Sequence, residues 1–352
     1  MSEWKKTYLR DLIVIKNGKD HKKLKNGQYP VYGSGGIMRY ADSYLYDQES
    51  VLLPRKGTLN NIQFVTEPFW TVDTCYYTVV NRDKVLPYFL YCCLCKMDIQ
   101  SLNTGSAVPS MTFEKYYSIE VPIPPLSTQH RIASILSRYD SLIENYQKQI
   151  KLLEEAAQRL YKEWFIDLRF PGHENTNIID GVPEGWEKKS ITDVLEIKYG
   201  KDHKLLKEGT IPVYGTGGIM RYVEKSLFTG ESVLIPRKGS LNNIMLVGGT
   251  FWTIDTMFYS IPKENNVAKI VYFYLKGVDM YSFNIGAAVP SMTVNILSGM
   301  KLLVPNEDVK NKFETIASKY FIRMHSLQSQ LRLLTEARDR LLPKLMSGEI
   351  EI

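Results

Sequence analysis

The chain is poor in the residues that build redox and metal chemistry. Its 352 residues include only 4 cysteines and 5 histidines. With no framework spacing, the cysteines exclude a disulfide-stapled scaffold and fit a reducing, cytoplasmic setting. No apolar run approaches the ~18–20 residues that span a bilayer. The opening MSEWKKTYLRD lacks the apolar stretch of a secretory leader, so no membrane role is expected. Cys92 and Cys95 form a lone CxxC, and one pair does not close a tetrahedral zinc site. Acidic clusters are missing as well: Asp73 and Asp255 stand alone in WTVDT and WTIDT, where a two-metal nuclease needs several carboxylates together. Neither GxxxxGK[ST] nor a GxGxxG turn opening a helix occurs. What is present is ordinary globular material, 44% hydrophobic and 23% charged. The net charge of +6, with a pI near 8.8, is compatible with a polyanionic partner.

The sequence also repeats. KNGKDHKKLK at 16–25 returns as KYGKDHKLLK at 198–207, and VYGSGGIMRY at 31–40 as VYGTGGIMRY at 213–222. VLLPRKGTLNNI at 51–62 returns as VLIPRKGSLNNI at 233–244, FWTVDT at 69–74 as FWTIDT at 251–256, and GSAVPSMT at 105–112 as GAAVPSMT at 286–293. One module of about 180 residues is therefore used twice. Divergence is uneven: roughly two thirds of positions match between 15–74 and its copy, against roughly a third between 140–165 and its copy. The front part of each copy is held to one task, or was recently reset to it.

Two kinds of segment alternate. SVLLPR, FWTVDTCYYTVV and SVLIPR, bounded by Gly, Asn and Pro, predict strands. LPYFLYCCLCKMD and AKIVYFYLKGVD predict short buried helices. The rear of each copy predicts a long helix. Tyr146, Ile150, Leu153, Ala157, Leu160 and Trp164 alternate steps of four and three, with Ile135, Tyr139 and Leu142 extending the stripe upstream. Leu327, Leu331, Leu334, Arg338, Leu341 and Leu345 match them in the second copy. That is a two-stranded coiled-coil seam. Ser127 is the expected N-cap after Pro122, Pro124 and Pro125, and Pro343 and Gly348 are expected to end or kink the second helix. The expected fold is α+β. Tandem mixed domains at 1–124 and 171–305 are separated by helices at 125–170 and 306–352, which pair antiparallel with pseudo-two-fold symmetry.

Candidate contact residues recur with the repeat. Ser34 in GSGGI and Thr216 in GTGGI sit in a tight turn or in a backbone nest facing a phosphate. Arg39, Tyr40, Arg55 and Lys56, with Arg221, Tyr222, Arg237 and Lys238, suit guanine edges or phosphates, or belong to a solvated surface. Their neighbours Asn60, Asn61, Asn242 and Asn243 carry the paired donor and acceptor that fit adenine, which favours DNA. Lys19, His21 and Lys22, continued by Lys23 and Lys25, recur as Lys201, His203, Lys204 and Lys207, either as a polar turn or as a phosphate contact. Ser110 and Thr112, like Ser291 and Thr293, lie in a VPSMT turn expected to precede a strand, and either cap locally or touch the DNA backbone. No second histidine or acidic pair recurs near His21 and His203 to complete a catalytic triad or a metal site.

In order, the segments are a YGSGGI turn, an R-x-G segment, W-x-x-D-T, VPIPPLSTQHRIASIL opening a long helix, the linker VPEGW at 182–186 with its echo Glu3-Trp4, and LMSGEI. Together they resemble the specificity subunit of type I restriction–modification systems over essentially the whole chain. The resemblance implies two target recognition domains, each reading half of a bipartite site in double-stranded DNA. It implies a spacer that docks two methyltransferase subunits, with restriction subunits joining through the complex. S-adenosylmethionine, ATP and Mg are expected on those partners and no cofactor on this chain, which is not expected to be an enzyme. The sequence agrees, having no (N/D)PP(Y/F) methylation motif; the nearest string is IPPL at 123–126. Members commonly carry unlike recognition domains, whereas these two are near copies, so a near-palindromic target is expected. Two other classes compete: a self-sufficient DNA enzyme, which needs a catalytic cluster, and a coiled-coil scaffold that binds proteins without reading DNA.

Overall fold

The computed structural model describes residues 4–105, 107–284, 286 and 289–350. Glu3 of the Glu3-Trp4 echo, and Ser106, Ala287 and Ala288 of the repeated glycine loop, lie outside the described residues. The chain packs as two compact units, Met1–Gln147 with Ser329–Ile352, and Lys148–Gln328.

The first unit is built on a four-stranded antiparallel sheet in the order Ile13–Lys16, Cys75–Val80, Ser50–Pro54, Gln63–Val65. Every residue of Ser50–Pro54 is buried, as its unbroken apolar run predicts. Ser50 is tolerated there because its hydroxyl donates to the Thr78 carbonyl over 2.8 Å. The predicted buried helix, Pro87–Cys95, covers this sheet. A smaller sheet sets the strand Gly36–Ala41 at its edge, then Tyr29–Gly33, then Trp70–Thr71 in parallel. In the second unit the main sheet is rebuilt in the same order as Leu195–Tyr199, Met257–Pro262, Ser232–Pro236, Met245–Val247. The smaller one is rebuilt with Gly218–Val223 at its edge.

The central helix runs from Leu126 to Tyr161 and the C-terminal helix from Glu307 to Ser347. Within the first unit, Ile132 and Leu136 share a core with Leu345 and Met346, while Asp140 meets Arg338, so the two segments run antiparallel. Within the second unit, Gln149 meets Arg323 and Tyr161 meets Phe313, again antiparallel.

Four local expectations are corrected. Ser127 is not the N-cap: the helix already includes Leu126, and the Pro125 carbonyl accepts from the amides of Thr128 and Gln129. The initiating side chain is instead Gln129, fully buried, which donates to the carbonyls of Pro124 and Lys84 and accepts from the Leu86 amide. The buried upstream stripe is Ile132, Leu136 and Ile143; of the expected residues Ile135 packs against that core, Tyr139 is half-buried, and Leu142 is 44% exposed. Pro343 does not end its helix, which runs on to Ser347 and ends at the expected Gly348, φ +73. The VPSMT segments precede short helices, Phe113–Tyr117 and Val294–Gly299, rather than strands.

Candidate nucleic-acid interface

In each unit four loops meet at one end of the sheets. The first is the hairpin turn at Ser34 and Gly35, closed by the pairing of Gly33 with Gly36. The side-chain amide of Asn61 donates to the Ser34 carbonyl over 2.8 Å, and that of Gln63 to the Gly33 carbonyl. The RKG loop is tied on both sides. Arg55 donates to the Asp73 carbonyl and its amide to the Thr74 carbonyl. Lys56 bridges to Ser110, the Gly57 amide donates to the Pro109 carbonyl over 2.9 Å, and the Met111 amide donates to the Arg55 carbonyl. Gly57 has φ +88, a conformation that favours glycine. The fourth loop is held by Asn103, whose carbonyl oxygen accepts from the amides of Gly105 and Ser110.

The second unit repeats these bonds. Asn243 donates to the Thr216 carbonyl over 2.6 Å, Arg237 to the Asp255 carbonyl, and the Gly239 amide to the Pro290 carbonyl. Lys238 bridges to Ser291, and Asn284 accepts from Gly286 and Ser291. Asn60 and Asn242 donate to Asp98 and Asp279, each over 3.1 Å. The asparagine amides are thus used to join the loops to one another. Thr112 and Thr293 cap their short helices by accepting from Lys115 and Ile296.

The basic run lies beside this cluster. The Lys19 amide donates to the Thr71 carbonyl, and the Trp70 indole donates back to Lys19; Lys201 and Trp252 match them. Gly18 and Gly200 permit that approach, since a Cβ on either would fall 2.0 Å from a carbonyl oxygen, that of Val72 or Ile254. Arg39 and Arg221 donate to the Leu24 and Leu206 carbonyls, fastening the run to the hairpin from beneath. A turn in which Asp20 accepts from the Lys22 amide stiffens the run and holds the Asp20 carboxyl below its usual range; Asp202 does the same with Lys204. Lys19, Lys22, Lys201 and Lys204 are exposed, and His21 and His203 are half-buried.

The hairpin carries a feature that sequence reading passed over. Tyr32 pairs with Ile37 and Val31 with Arg39, so Met38 is the extra residue of a bulge. Bulging turns neighbouring side chains outward together. Ile37, Met38 and Tyr40 are 49%, 59% and 51% exposed, and Ile219, Met220 and Tyr222 are 50%, 56% and 45% exposed. The signal was available, since IMRY is identical in both copies, but alternation alone sends Met38 to the opposite face from its neighbours. Among the described residues no group of His, Cys, Asp and Glu could hold a metal, and no helix is long and apolar enough to cross a membrane. Cys92 is buried on the short helix and burial pushes its thiol up, while Cys75 is a core residue.

Duplicated loop clusters on a mixed scaffold with paired long helices define a recognition subunit. The chain belongs to the family described as the type I restriction modification DNA specificity domain, which matches residues 1–155 and 183–327. It is similar to the type I restriction enzyme MjaIX specificity subunit of Methanocaldococcus jannaschii, 25% identical with 88% of this chain and 79% of that protein covered. It is also similar to a putative type I restriction enzyme specificity subunit of Haemophilus influenzae, 21% identical with 90% and 86% covered. A crystal structure of the type I restriction–modification S subunit from M. genitalium shares the fold, with a TM-score of 0.71 at 20% identity over 98% of this chain and 96% of that one. The protein is accordingly a specificity subunit of a type I system, a non-catalytic recognition component.

Proposed function

We propose that this subunit reads a bipartite, near-palindromic site in double-stranded DNA and docks two methyltransferase subunits, through which restriction subunits join. The observation that carries this reading is the same four-loop cluster built twice with the same hydrogen bonds. Near-identical readers select near-identical half-sites. In this reading 1–124 and 171–305 are the recognition domains, and 125–170 and 306–352 the spacers. Half-sites lie about a helical turn apart, each with an adenine for methylation.

The exposed lysines Lys19, Lys22, Lys56, Lys201, Lys204 and Lys238 suit phosphates. The outward Tyr40 and Tyr222, with Ile37, Met38, Ile219 and Met220, suit base edges and thymine methyls. Ser34, Thr216, Ser110 and Ser291 line the same rim. Arg39, Arg55, Arg221, Arg237, the four asparagines, the two histidines and Thr112 and Thr293 shape it from behind. S-adenosylmethionine, ATP and Mg act on the partner subunits, in the cytoplasm. Mapping N6-methyladenine in a host carrying the complete system tests the proposal. A bipartite motif with two similar halves, lost when this gene is deleted, is expected; unrelated halves overturn the near-palindrome.

A further inference from the structure

The two readers differ at few exposed places in and beside their loop clusters: Tyr199 and Leu205 stand where the first copy has Asn17 and Lys23 in the basic run, and a further pair of differences lies in the cluster itself. In the turns Ile99–Leu102 and Met280–Phe283, Gln100 and Leu102 of the first copy stand where Tyr281 and Phe283 stand in the second. The backbone that carries them is fixed alike. Asp98 and Asp279 bind Asn60 and Asn242 on one side, and Asn103 and Asn284 clamp Ser110 and Ser291 on the other. Ile99 and Met280, the other difference within these turns, are buried and fill the core. At the hairpin turn and just after the RKG segment a hydroxyl replaces a hydroxyl, Ser34 by Thr216 and Thr58 by Ser240. Gln63, where the second copy has Met245, is turned inward to Gly33.

The surfaces presented are chemically opposed. Gln100 is an exposed amide, and Leu102 leans on the core beneath it. Tyr281 and Phe283 are 44% and 42% exposed, and the Tyr281 phenol donates across to the Gly239 carbonyl over 3.3 Å, laying the ring against the RKG loop. A soluble loop holding two half-exposed rings beside Lys238 offers a flat apolar face flanked by positive charge, which matches a base step under its phosphates.

Resting on the DNA-reading proposal above, we infer that these residues set a difference between the half-sites at one base pair. Gln100 hydrogen-bonds a base edge, with adenine the best match, and Tyr281 with Phe283 packs on a thymine methyl at the equivalent base pair of the other half.

The test uses the full chain assembled with its methyltransferase subunits, reading methylation of randomised duplexes. Exchanging the residues one way, Q100Y with L102F, is expected to alter preference at one base pair of one half-site by roughly tenfold and to make the two halves alike at that base pair. The reverse exchange, Y281Q with F283L, is expected to alter the other half alone. An unaltered motif in the half-site that was not exchanged, with the unfolding temperature of each variant, controls for folding. Wild-type halves already identical at every base pair, or exchanged proteins that fold and methylate with an unaltered motif, overturn the inference and leave the DNA-reading proposal standing. Methylation with no dependence on this chain overturns both.

Discussion

The side-chain amide of Asn61 donates to the backbone carbonyl of Ser34, 27 positions away in sequence, and pins the hairpin turn over the RKG loop. Asn243 does the same to Thr216. Asn61→Ala removes a part-buried bond and is expected to cost about 1 kcal/mol in urea unfolding. Because the turn loses its fixed position, methylation specificity should relax in one half-site while the other stays sharp.

Gly18 lies against backbone on which nothing can yield. Gly18→Ala would place its Cβ 2.0 Å from the Val72 carbonyl oxygen and 2.7 Å from that of Thr71. The basic run must lift away, carrying Lys19 and Lys22 with it. DNA affinity is expected to fall, and the slope of log K against log salt to flatten by about 1–2. Titrations at several salt concentrations measure both. An unchanged slope would remove these lysines from the phosphate contacts.

Arg338 occupies a seam position otherwise filled by leucines. It donates to Asp140 over 3.0 Å, and Asp140 also accepts from the Tyr88 phenol over 2.6 Å. Both charged side chains are about one third exposed, which weakens the pair below a fully buried one. Arg338→Ala is expected to destabilise by about 1–2 kcal/mol. Combining Arg338→Leu with Asp140→Asn should restore most of that loss, as a double-mutant cycle by denaturant unfolding would register.

Glu264 accepts from Lys189 over 2.6 Å and from Lys310 over 3.0 Å. The Lys189 hydrogen bond, opposed by burial and aided by Lys310, holds its carboxyl below the ordinary value of 4.5. A depressed folded value means that the pair's stabilisation is fully present above 4.5 and is lost as pH falls below it through the folded value. Melting temperature should therefore drop as pH falls below 4.5. In Glu264→Gln that acid-side drop should shrink, with the variant less stable than wild type at neutral pH.

The sequence made the duplicated architecture legible because strand, turn and seam signals agree in both copies, and agreement between two copies filters out accident. The C-terminal seam from Leu327 to Leu345 fell on the predicted positions, with Leu327 and Leu345 buried. The upstream central seam shifted, because Leu142 fits the heptad count as well as Ile143 does, and only the domain packed against the helix chooses between them. By their chemistry alone the four asparagines suit adenine edges. Their amides have nearer partners in Ser34, Thr216, Asp98 and Asp279, brought there by loop closures that local pattern does not encode. The bulge at Met38 escaped for a related reason: one inserted residue reverses the inward–outward alternation on which strand reading depends.

Leu345 and Met346 belong to the same core as Leu9, Phe89 and Ile132, and Trp4 lies against Gly348. The first unit thus draws on both ends of the described chain, whereas the second is one continuous stretch, Lys148–Gln328. On the ribosome the order of maturation runs against the order of synthesis. The second reader has all its residues while the first still lacks the helix that seals its core, and the first must wait with apolar surface open until that helix emerges. A nascent chain stalled after Gln328 would hold one finished reader and one unfinished, and chaperone demand should fall on the one made first.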